Sequence, residues 1–254
     1  MRQPQFFDAP HGSRIAYHQT EGEGVTLVFF GGFKSDMEGS KATALESHCA
    51  AQGYGYLRFD YSGHGQSSGK FEDGTIGQWG VDAIYAFDQL TDGPQVLVGS
   101  SMGGWLALLV ARERAERVRG LVGLAAAPDF TEDLIWNVMD ETQRTELMSA
   151  GQVLEPNDYA PCEPYVITKK LIEDGRRHLL LREPLNITLP VRLIQGMKDA
   201  DVPWQTALQI QDVLVGDDVE IQFVKAGDHR LSEAADLERL THTLGALLSR
   251  LETA

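Results

Sequence analysis

Short runs of β-branched and aromatic residues alternate with segments of helical periodicity over most of this 254-residue chain. The clearest runs cover residues 25–30, 54–59, 95–99, 118–125, 191–196 and 219–224. Between them, apolar residues recur every three or four positions, as they do on one face of an amphipathic helix. Strands that alternate with helices build a parallel sheet covered by helices. The sequence therefore predicts an α/β fold with a mostly parallel central sheet flanked by helices.

The strand rhythm is lost between residues 128 and 185. Helical patterns and prolines occupy this stretch, which predicts a short helical cap insertion at 128–185. The core of the single domain is then expected at 1–127 and 186–254. Six apolar residues could line an acyl groove under the cap, or they could be ordinary helix core. They are Leu134, Trp136, Val138, Met139 and Leu147 of the cap, with Trp204 from outside it. The basic run 176–178 could meet an anionic group, although a solvated helix face is the simpler interpretation.

The formal net charge of −15 makes nucleic acid and anionic membrane poor partners, because like charges repel. No stretch reaches the roughly 18 apolar residues of a membrane span. Cys49 and Cys162 form neither a disulfide framework nor a metal-binding spacing. No metal and no cofactor are expected. The N-terminal stretch lacks an apolar core of signal-peptide length. A soluble cytoplasmic protein is the expectation, and the oligomeric state is left open.

The segment Gly99–Gly103 reads Gly-x-Ser-x-Gly between an apolar strand and an amphipathic helix. In this context the central serine sits on a sharp, strained turn that exposes its hydroxyl, and the flanking glycines avoid a collision across the turn. Ser101 is therefore the predicted nucleophile. Ser100 is the neighbouring alternative, but it is not central between the glycines.

A serine hydroxyl needs a general base to act as a nucleophile at neutral pH. Of the seven histidines, only His229 stands in a short loop between a late strand and the final helix pattern. His64, by contrast, lies in a Ser-Gly-His-Gly turn ahead of the nucleophile. His229 is therefore the predicted base.

The base in turn needs a carboxylate that sets its tautomer. Asp199 follows the strand at 191–196 and precedes a helix, which makes it the preferred acid. Asp201 is the second choice and Asp129 a distant third. The resulting chain order of serine, aspartate and histidine is the order of the α/β-hydrolase fold.

Acyl transfer also requires donors for the negative charge that develops on the carbonyl oxygen. One donor is expected from the backbone N–H of Met102, which follows the nucleophile at the start of a helix. The other is expected in the glycine-containing loop after the strand at 25–30, where Phe33 is the candidate.

Several segments together resemble one branch of the α/β-hydrolases: GGFKSDMEGSKATAL, RFDYSGHGQSSG, VGSSMGGWLALL, QGMKDADVPW and GDHR. That branch includes the mitochondrial palmitoyl-protein thioesterase that is also described as an acyl-glucuronide esterase, with its bacterial relatives. The resemblance runs from Gly31 to Arg230 and is weak at 128–185. It implies the same nucleophile, acid, base and oxyanion donors, and it implies depalmitoylation of S-acyl cysteines and cleavage of acyl glucuronides. Gln195 departs from the histidine that many relatives carry, and no mitochondrial targeting segment is recognised.

These observations predict a serine hydrolase that cleaves carboxylic esters or thioesters through an acyl-enzyme, with a small molecule or an S-acylated protein as substrate. Other chemistries of the same fold stay open, namely C–C bond hydrolysis and peptidase, lactonase or acyltransferase activity, because a fold does not fix its reaction. A non-catalytic small-molecule receptor is the alternative outside enzymology.

Overall fold

A computed structural model describes residues 3–157 and 162–252. In chain order its strands are β1 (Gln5–Asp8), β2 (Arg14–Thr20), β3 (Thr26–Phe30), β4 (Gly55–Phe59), β5 (Gln95–Ser100), β6 (Val118–Leu124), β7 (Gln152–Glu155), β8 (Tyr165–Thr168), β9 (Val191–Gly196) and β10 (Val219–Val224). Its α-helices are α1 (Ser40–Gln52), α2 (Ile76–Leu90), α3 (Met102–Glu113), α4 (Glu141–Ala150), α5 (Lys169–Gly175), α6 (Gln205–Val213) and α7 (Ala234–Glu252).

The central sheet has eight strands in the order β1-β2-β4-β3-β5-β6-β9-β10. Within this sheet, β4, β3, β5, β6, β9 and β10 run parallel to one another, whereas β2 is antiparallel to both β1 and β4. The strand order reverses at β3, which has β4 on one side and β5 on the other. In open α/β sheets, ligands bind beyond the carboxyl ends of the strands at such a reversal. The fold prediction is confirmed, and it directs attention to the loops after β3 and β5.

Apolar side chains cover both faces of the sheet, which explains why its central strands read as continuous apolar runs. On one face, Trp79 of α2 and Trp105 of α3 are fully buried against the strands. On the other face, Leu45 of α1 packs with Leu240 and Leu244 of α7. Each such leucine contributes about 1.5–3 kcal/mol by its removal from water. These layers hold the strand ends, and hence the loops beyond them, in fixed positions.

The chain between β6 and β9 leaves the sheet and forms a π-helix (Thr131–Trp136), α4, the β7–β8 hairpin and α5. A small apolar cluster of its own holds it together, made of Met139, Leu147, Val153, Ile167 and Ile172. The segment is fastened at its base by the fully buried Asp129, whose carboxylate accepts the backbone N–H groups of Leu180 (2.7 Å) and Leu181 (2.8 Å). Its division from the core as a cap at 128–185 stays a prediction. Residues 1–2, 158–161 and 253–254 of the predicted ranges lie outside the described residues.

Candidate active site

Ser101 occupies the turn between β5 and α3, with φ 54° and ψ −122°, a conformation that L residues rarely adopt. Two close approaches explain the flanking glycines. A Cβ at Gly99 would lie 2.4 Å from the Gly103 carbonyl oxygen, and a Cβ at Gly103 would lie 2.0 Å from the Phe30 oxygen. Only glycine fits at either position, so the sequence motif has a steric cause. The turn presents the hydroxyl beyond the carboxyl end of the sheet.

His229 lies in the loop between β10 and α7, and its Nε2 is 3.0 Å from the Oγ of Ser101. The loop is held by its own residues and by α1. Asp228 accepts the backbone N–H of Leu231 at 3.0 Å, and Lys41 donates to the carbonyl oxygen of Arg230. The imidazole retains 15% exposure, so it is accessible from the solvent side while one edge faces the serine.

Asp199 follows β9, and its side chain is fully buried. Its Oδ2 lies 2.9 Å from the Nδ1 of His229 and accepts the Nε2 amide of Gln195 at 3.0 Å. Its Oδ1 accepts the backbone N–H groups of Asp201 (2.9 Å) and Val202 (2.8 Å). These contacts fix the orientation of the carboxylate. Asp201 itself is exposed and Asp129 lies at the base of the inserted segment, so the geometry favours neither alternative as the partner of His229.

The contacts of Asp199 set the tautomer of His229. Because the carboxylate is an acceptor only, Nδ1 carries the hydrogen and Nε2 presents a lone pair to Ser101. An imidazole in this state can take the hydroxyl proton as the oxygen attacks an electrophile, and the adjacent charge stabilises the resulting cation. The three side chains, which come from loops after β5, β9 and β10, thus form a chain that can move a proton.

The two expected oxyanion donors lie on either side of this serine. Met102 is the first residue of α3, where a backbone N–H has no intrahelical acceptor. Phe33 is in the loop after β3. That loop runs close to the serine, since a Cβ on Gly32 would be 3.4 Å from the Cβ of Ser101. Both residues line the same cavity as Ser101 and His229.

The cavity above the serine has a volume of about 650 Å³. Its apolar wall comes mainly from the inserted segment, through Leu134, Ile135, Val138, Met139 and Ile167. The polar part of the wall carries Lys34, Lys41 and Arg230, together with the acidic Asp36, Glu155 and Asp201. Burial, and secondarily the charge of Arg230, lowers the pKa of Lys41 to about 8. Such a cavity can hold a flexible apolar group beside the hydroxyl while its polar residues contact a polar group.

The other residues suggested for this groove do not line it. Trp136 lies under the guanidinium groups of Arg144 and Arg176, which are 5.2 and 4.6 Å from its ring centre. Leu147 belongs to the small cluster of the inserted segment, and Trp204 packs edge-on against Phe223. The run 176–178 pairs with Glu132 and Asp174 and takes no part in the lining.

Two features of the site were missed from the sequence. Gln195 contacts the acid directly, although its position outside the three reactive side chains made it look unimportant. The sequence feature that could have indicated this contact is the position of Gln195 in β9, four residues before Asp199. The second is a possible cation position, since ligand atoms of Asp199, Asp201 and His229 lie within 4.8 Å of one another in the described part of the chain. A cation there would have to break the bond between Asp199 and His229.

Comparison with known proteins shows the family of the chain. Residues 26–158 match the family model described as alpha/beta hydrolase fold. The bovine protein named palmitoyl-protein thioesterase ABHD10, mitochondrial, is 39% identical over 248 residues, covering 98% of this chain and 81% of its own length. The solved structure of mouse alpha/beta hydrolase domain-containing protein 10 superposes with a TM-score of 0.92 at 37% identity, covering 98% of this chain and all of that one. A putative hydrolase from Agrobacterium vitis S4 gives 0.93 at 38%, covering 96% and 98%.

The expected cytoplasmic location is wrong by the same comparison, because the bovine, human and mouse relatives are all named mitochondrial proteins. The expectation depended on the absence of an apolar export signal and on the cysteine count. Neither property separates the cytoplasm from a mitochondrion, whose targeting segments are amphipathic and rich in arginine. Within the residues that the structure describes, no helix has the length and apolar character of a membrane span.

The matched family model, the relatives at more than a third identity and the shared three-dimensional structure agree with the sequence motifs. The chain is a hydrolase of the serine-hydrolase class, and it belongs to the α/β-hydrolase fold family, in the branch of the ABHD10 thioesterases.

Proposed function

We propose that this hydrolase cleaves carboxylic esters and thioesters through an acyl-enzyme on Ser101, with His229 as the base and Asp199 as its carboxylate partner. The observation that carries the proposal is the unbroken hydrogen-bond path, 3.0 Å from Ser101 to His229 and 2.9 Å from His229 to Asp199. Both distances are within reach for proton transfer before any substrate is bound.

In the first half-reaction, the Oγ of Ser101 bonds to the acyl carbon while its proton passes to Nε2 of His229. The bond to the leaving sulfur or oxygen then breaks, and His229 returns the proton to that atom. In the second half-reaction, water gives a proton to Nε2 of His229 while its oxygen bonds to the acyl carbon. The bond between that carbon and Oγ of Ser101 then breaks, His229 returns the proton to Oγ, and the acid is released. The backbone N–H groups of Phe33 and Met102 donate hydrogen bonds to the negatively charged oxygen of the two tetrahedral intermediates.

The cavity supports an acyl chain as the group held during this reaction. Its apolar wall borders the serine, and the relatives in this branch are named palmitoyl-protein thioesterases. We therefore place the acyl chain against the inserted segment and the leaving group, from a small molecule or an S-acylated protein, toward the polar wall. In this arrangement residues 128–185 act as a cap that determines which acyl chains fit.

The reaction is tested by the Ser101→Ala variant with p-nitrophenyl esters and acyl thioesters of two to sixteen carbons. Turnover should fall by about 10⁴-fold or more. Ser100→Ala is the matched control, because it removes a neighbouring buried hydroxyl and should stay within about threefold of the parent. A fluorophosphonate probe should label the parent and the Ser100→Ala variant only. Normal turnover by Ser101→Ala would refute the proposal.

The cap is tested separately by Leu134→Trp, which adds volume to the apolar wall. Long acyl chains should lose at least tenfold in kcat/KM, while a two-carbon ester is nearly unaffected. Met148→Trp places the same ring on an exposed position of the inserted segment outside the cavity and should change neither. Equal losses for short and long chains would assign the segment a role other than chain selection.

A further inference from the structure

The loop that carries Phe33 is held at three points by the turn that follows β4. Near its start, the hydroxyl of Tyr61 donates to the Gly31 oxygen at 3.3 Å. In its middle, the backbone N–H of Lys34 donates to Nε2 of His64 at 3.2 Å. At its end, the N–H of Met37 donates to the carboxylate of Asp60 at 2.7 Å. The turn after β4 therefore contacts the oxyanion loop along its whole length, because β4 is the neighbour of β3 in the sheet.

The middle contact falls on the strained residue of that loop. Lys34 has φ 55°, a left-handed conformation disfavoured for a residue with a Cβ. It is the third residue of a four-residue turn that the N–H of Ser35 closes on the Gly32 oxygen at 3.2 Å. Phe33 is the second residue of this turn. The direction of the Phe33 N–H thus depends on a backbone conformation at Lys34 that is unfavourable for a residue with a Cβ.

His64 is built to act as an acceptor for that strained peptide. Its ring is 4% exposed, and Tyr61, Phe71 and Trp79 lie edge-on to it with ring centres 5.1–5.5 Å away. Its Nδ1 is 3.3 Å from the Ser62 oxygen, so the hydrogen is on Nδ1 and the lone pair on Nε2. Burial lowers its pKa to about 4, which keeps the ring neutral at neutral pH.

The neighbouring glycine is required for this turn. Gly65 has φ 45°, and a Cβ there would lie 2.1 Å from the carboxylate of Asp60. The Ser-Gly-His-Gly turn thus allows the Asp60 carboxylate and the His64 ring to contact the same loop.

We propose that His64 is a positioning residue for catalysis: by accepting the Lys34 N–H, it fixes the turn that aims the N–H of Phe33 at the developing oxyanion. This inference rests on the proposed function, since it requires Phe33 to be an oxyanion donor. His64 does not touch the substrate. Its effect should appear in transition-state stabilisation and leave ground-state binding nearly unchanged.

The test compares His64→Phe, which keeps the aromatic packing without the acceptor, with His64→Gln, which can place an amide oxygen where Nε2 stands. Loss of one oxyanion donor costs about 10²–10³ in rate, so a donor that is only misaimed should cost about 10- to 100-fold. We expect this loss in kcat for His64→Phe with KM within about threefold, and near-parent kcat for His64→Gln. The inhibition constant of an alkyl boronic acid, which forms a tetrahedral adduct on Ser101, should rise with the loss in kcat, whereas that of a product fatty acid should not.

A measurement on the parent protein makes the test independent of whether the variants fold. Nitrogen-15 spectra should show the Nδ1–H tautomer of His64, with a scalar coupling between Nε2 and the Lys34 amide. An Nε2–H tautomer would overturn the inference, as would a folded His64→Phe variant with parental kcat. If Ser101→Ala stayed active, the proposed function itself would fail. If Ser101→Ala were inactive and His64→Phe fully active, only the role of His64 would fail.

Discussion

Replacing Asp199 by asparagine should abolish most turnover through a tautomer change that the surrounding donors enforce. Oδ1 of Asp199 accepts two backbone N–H groups, from Asp201 and Val202, so the oxygen of an asparagine must remain on that side. Its NH₂ group then occupies the place of Oδ2 and faces Nδ1 of His229. His229 can meet this donor only by moving its hydrogen to Nε2, where it can no longer accept the proton of Ser101.

The magnitude follows from the cost of the wrong tautomer, about 10⁴-fold in kcat, or about 5 kcal/mol at 1.36 kcal/mol per factor of ten. The NH₂ group also faces the Nε2 amide of Gln195, which is oriented as a donor by its second bond to the Val202 oxygen at 3.1 Å. Two donors that face each other in a buried place should destabilise the fold by about 1–3 kcal/mol.

The assay is steady-state hydrolysis of p-nitrophenyl hexanoate, with the melting temperature measured by circular dichroism. Asp201→Asn is the matched control, because it makes the same change on an exposed side chain two residues away and should keep kcat within about threefold. An Asp199→Asn variant within tenfold of the parent, together with an inactive Asp201→Asn, would refute the reasoning and make Asp201 the acid.

Three further outcomes are expected. Gly103→Ala should destabilise the fold by at least about 3 kcal/mol in urea unfolding and remove activity, because its Cβ would lie 2.0 Å from a backbone oxygen. Gly245→Ala in α7 is the control, since it has open space around it and should be neutral or stabilise by up to about 1 kcal/mol. His64 has a pKa of about 4 in the folded protein and 6.5 otherwise, so the unfolded chain binds the extra proton between these values and stability falls as the pH drops from 6.5 to 4. At about 1.36 kcal/mol per pKa unit the loss from His64 is about 3 kcal/mol, so urea titrations at pH 7 and pH 4 should show a loss of stability about 3 kcal/mol larger in the parent than in His64→Gln. Iodoacetamide should modify the exposed Cys162 of the native protein but not the buried Cys49, because burial raises the pKa of the Cys49 thiol to about 12. Mass spectrometry should therefore find one adduct before denaturation and two after it.

The parts of the fold that were predictable from the sequence are the strands with a continuous or alternating apolar pattern, such as the buried β9 and the edge strand β10. The strands β9 and β10 have the predicted bounds, and β3 to β6 differ by a residue or so at their ends. The strand β1 was missed because it is four residues long and largely exposed, so it carries no apolar pattern. The β7–β8 hairpin was missed for a similar reason, since its strands are short and only partly buried.

The candidate site divides in the same way. Ser101, Asp199 and His229 were predictable because each stands in a short loop directly after a recognisable strand, although their roles stay predictions. The contacts of His64 with Lys34 and of Gln195 with Asp199 were not predictable. The first depends on β4 lying beside β3, and the order of strands in a sheet is not encoded in local periodicity. The second depends on the path by which a loop folds back over its own strand.

The buried carboxylate of Asp129 has a consequence for how enzymes of this branch can diversify. Its hydrogen bonds join the start of the inserted segment, just after β6, to its end near Leu180, and so hold together the two ends of a segment of some fifty residues. Substitutions, insertions or deletions in the middle of that segment should leave its two ends undisturbed. The strands that carry the reactive groups are then undisturbed as well. The part of the cavity wall that this segment supplies can therefore change while Ser101, Asp199 and His229 keep their positions.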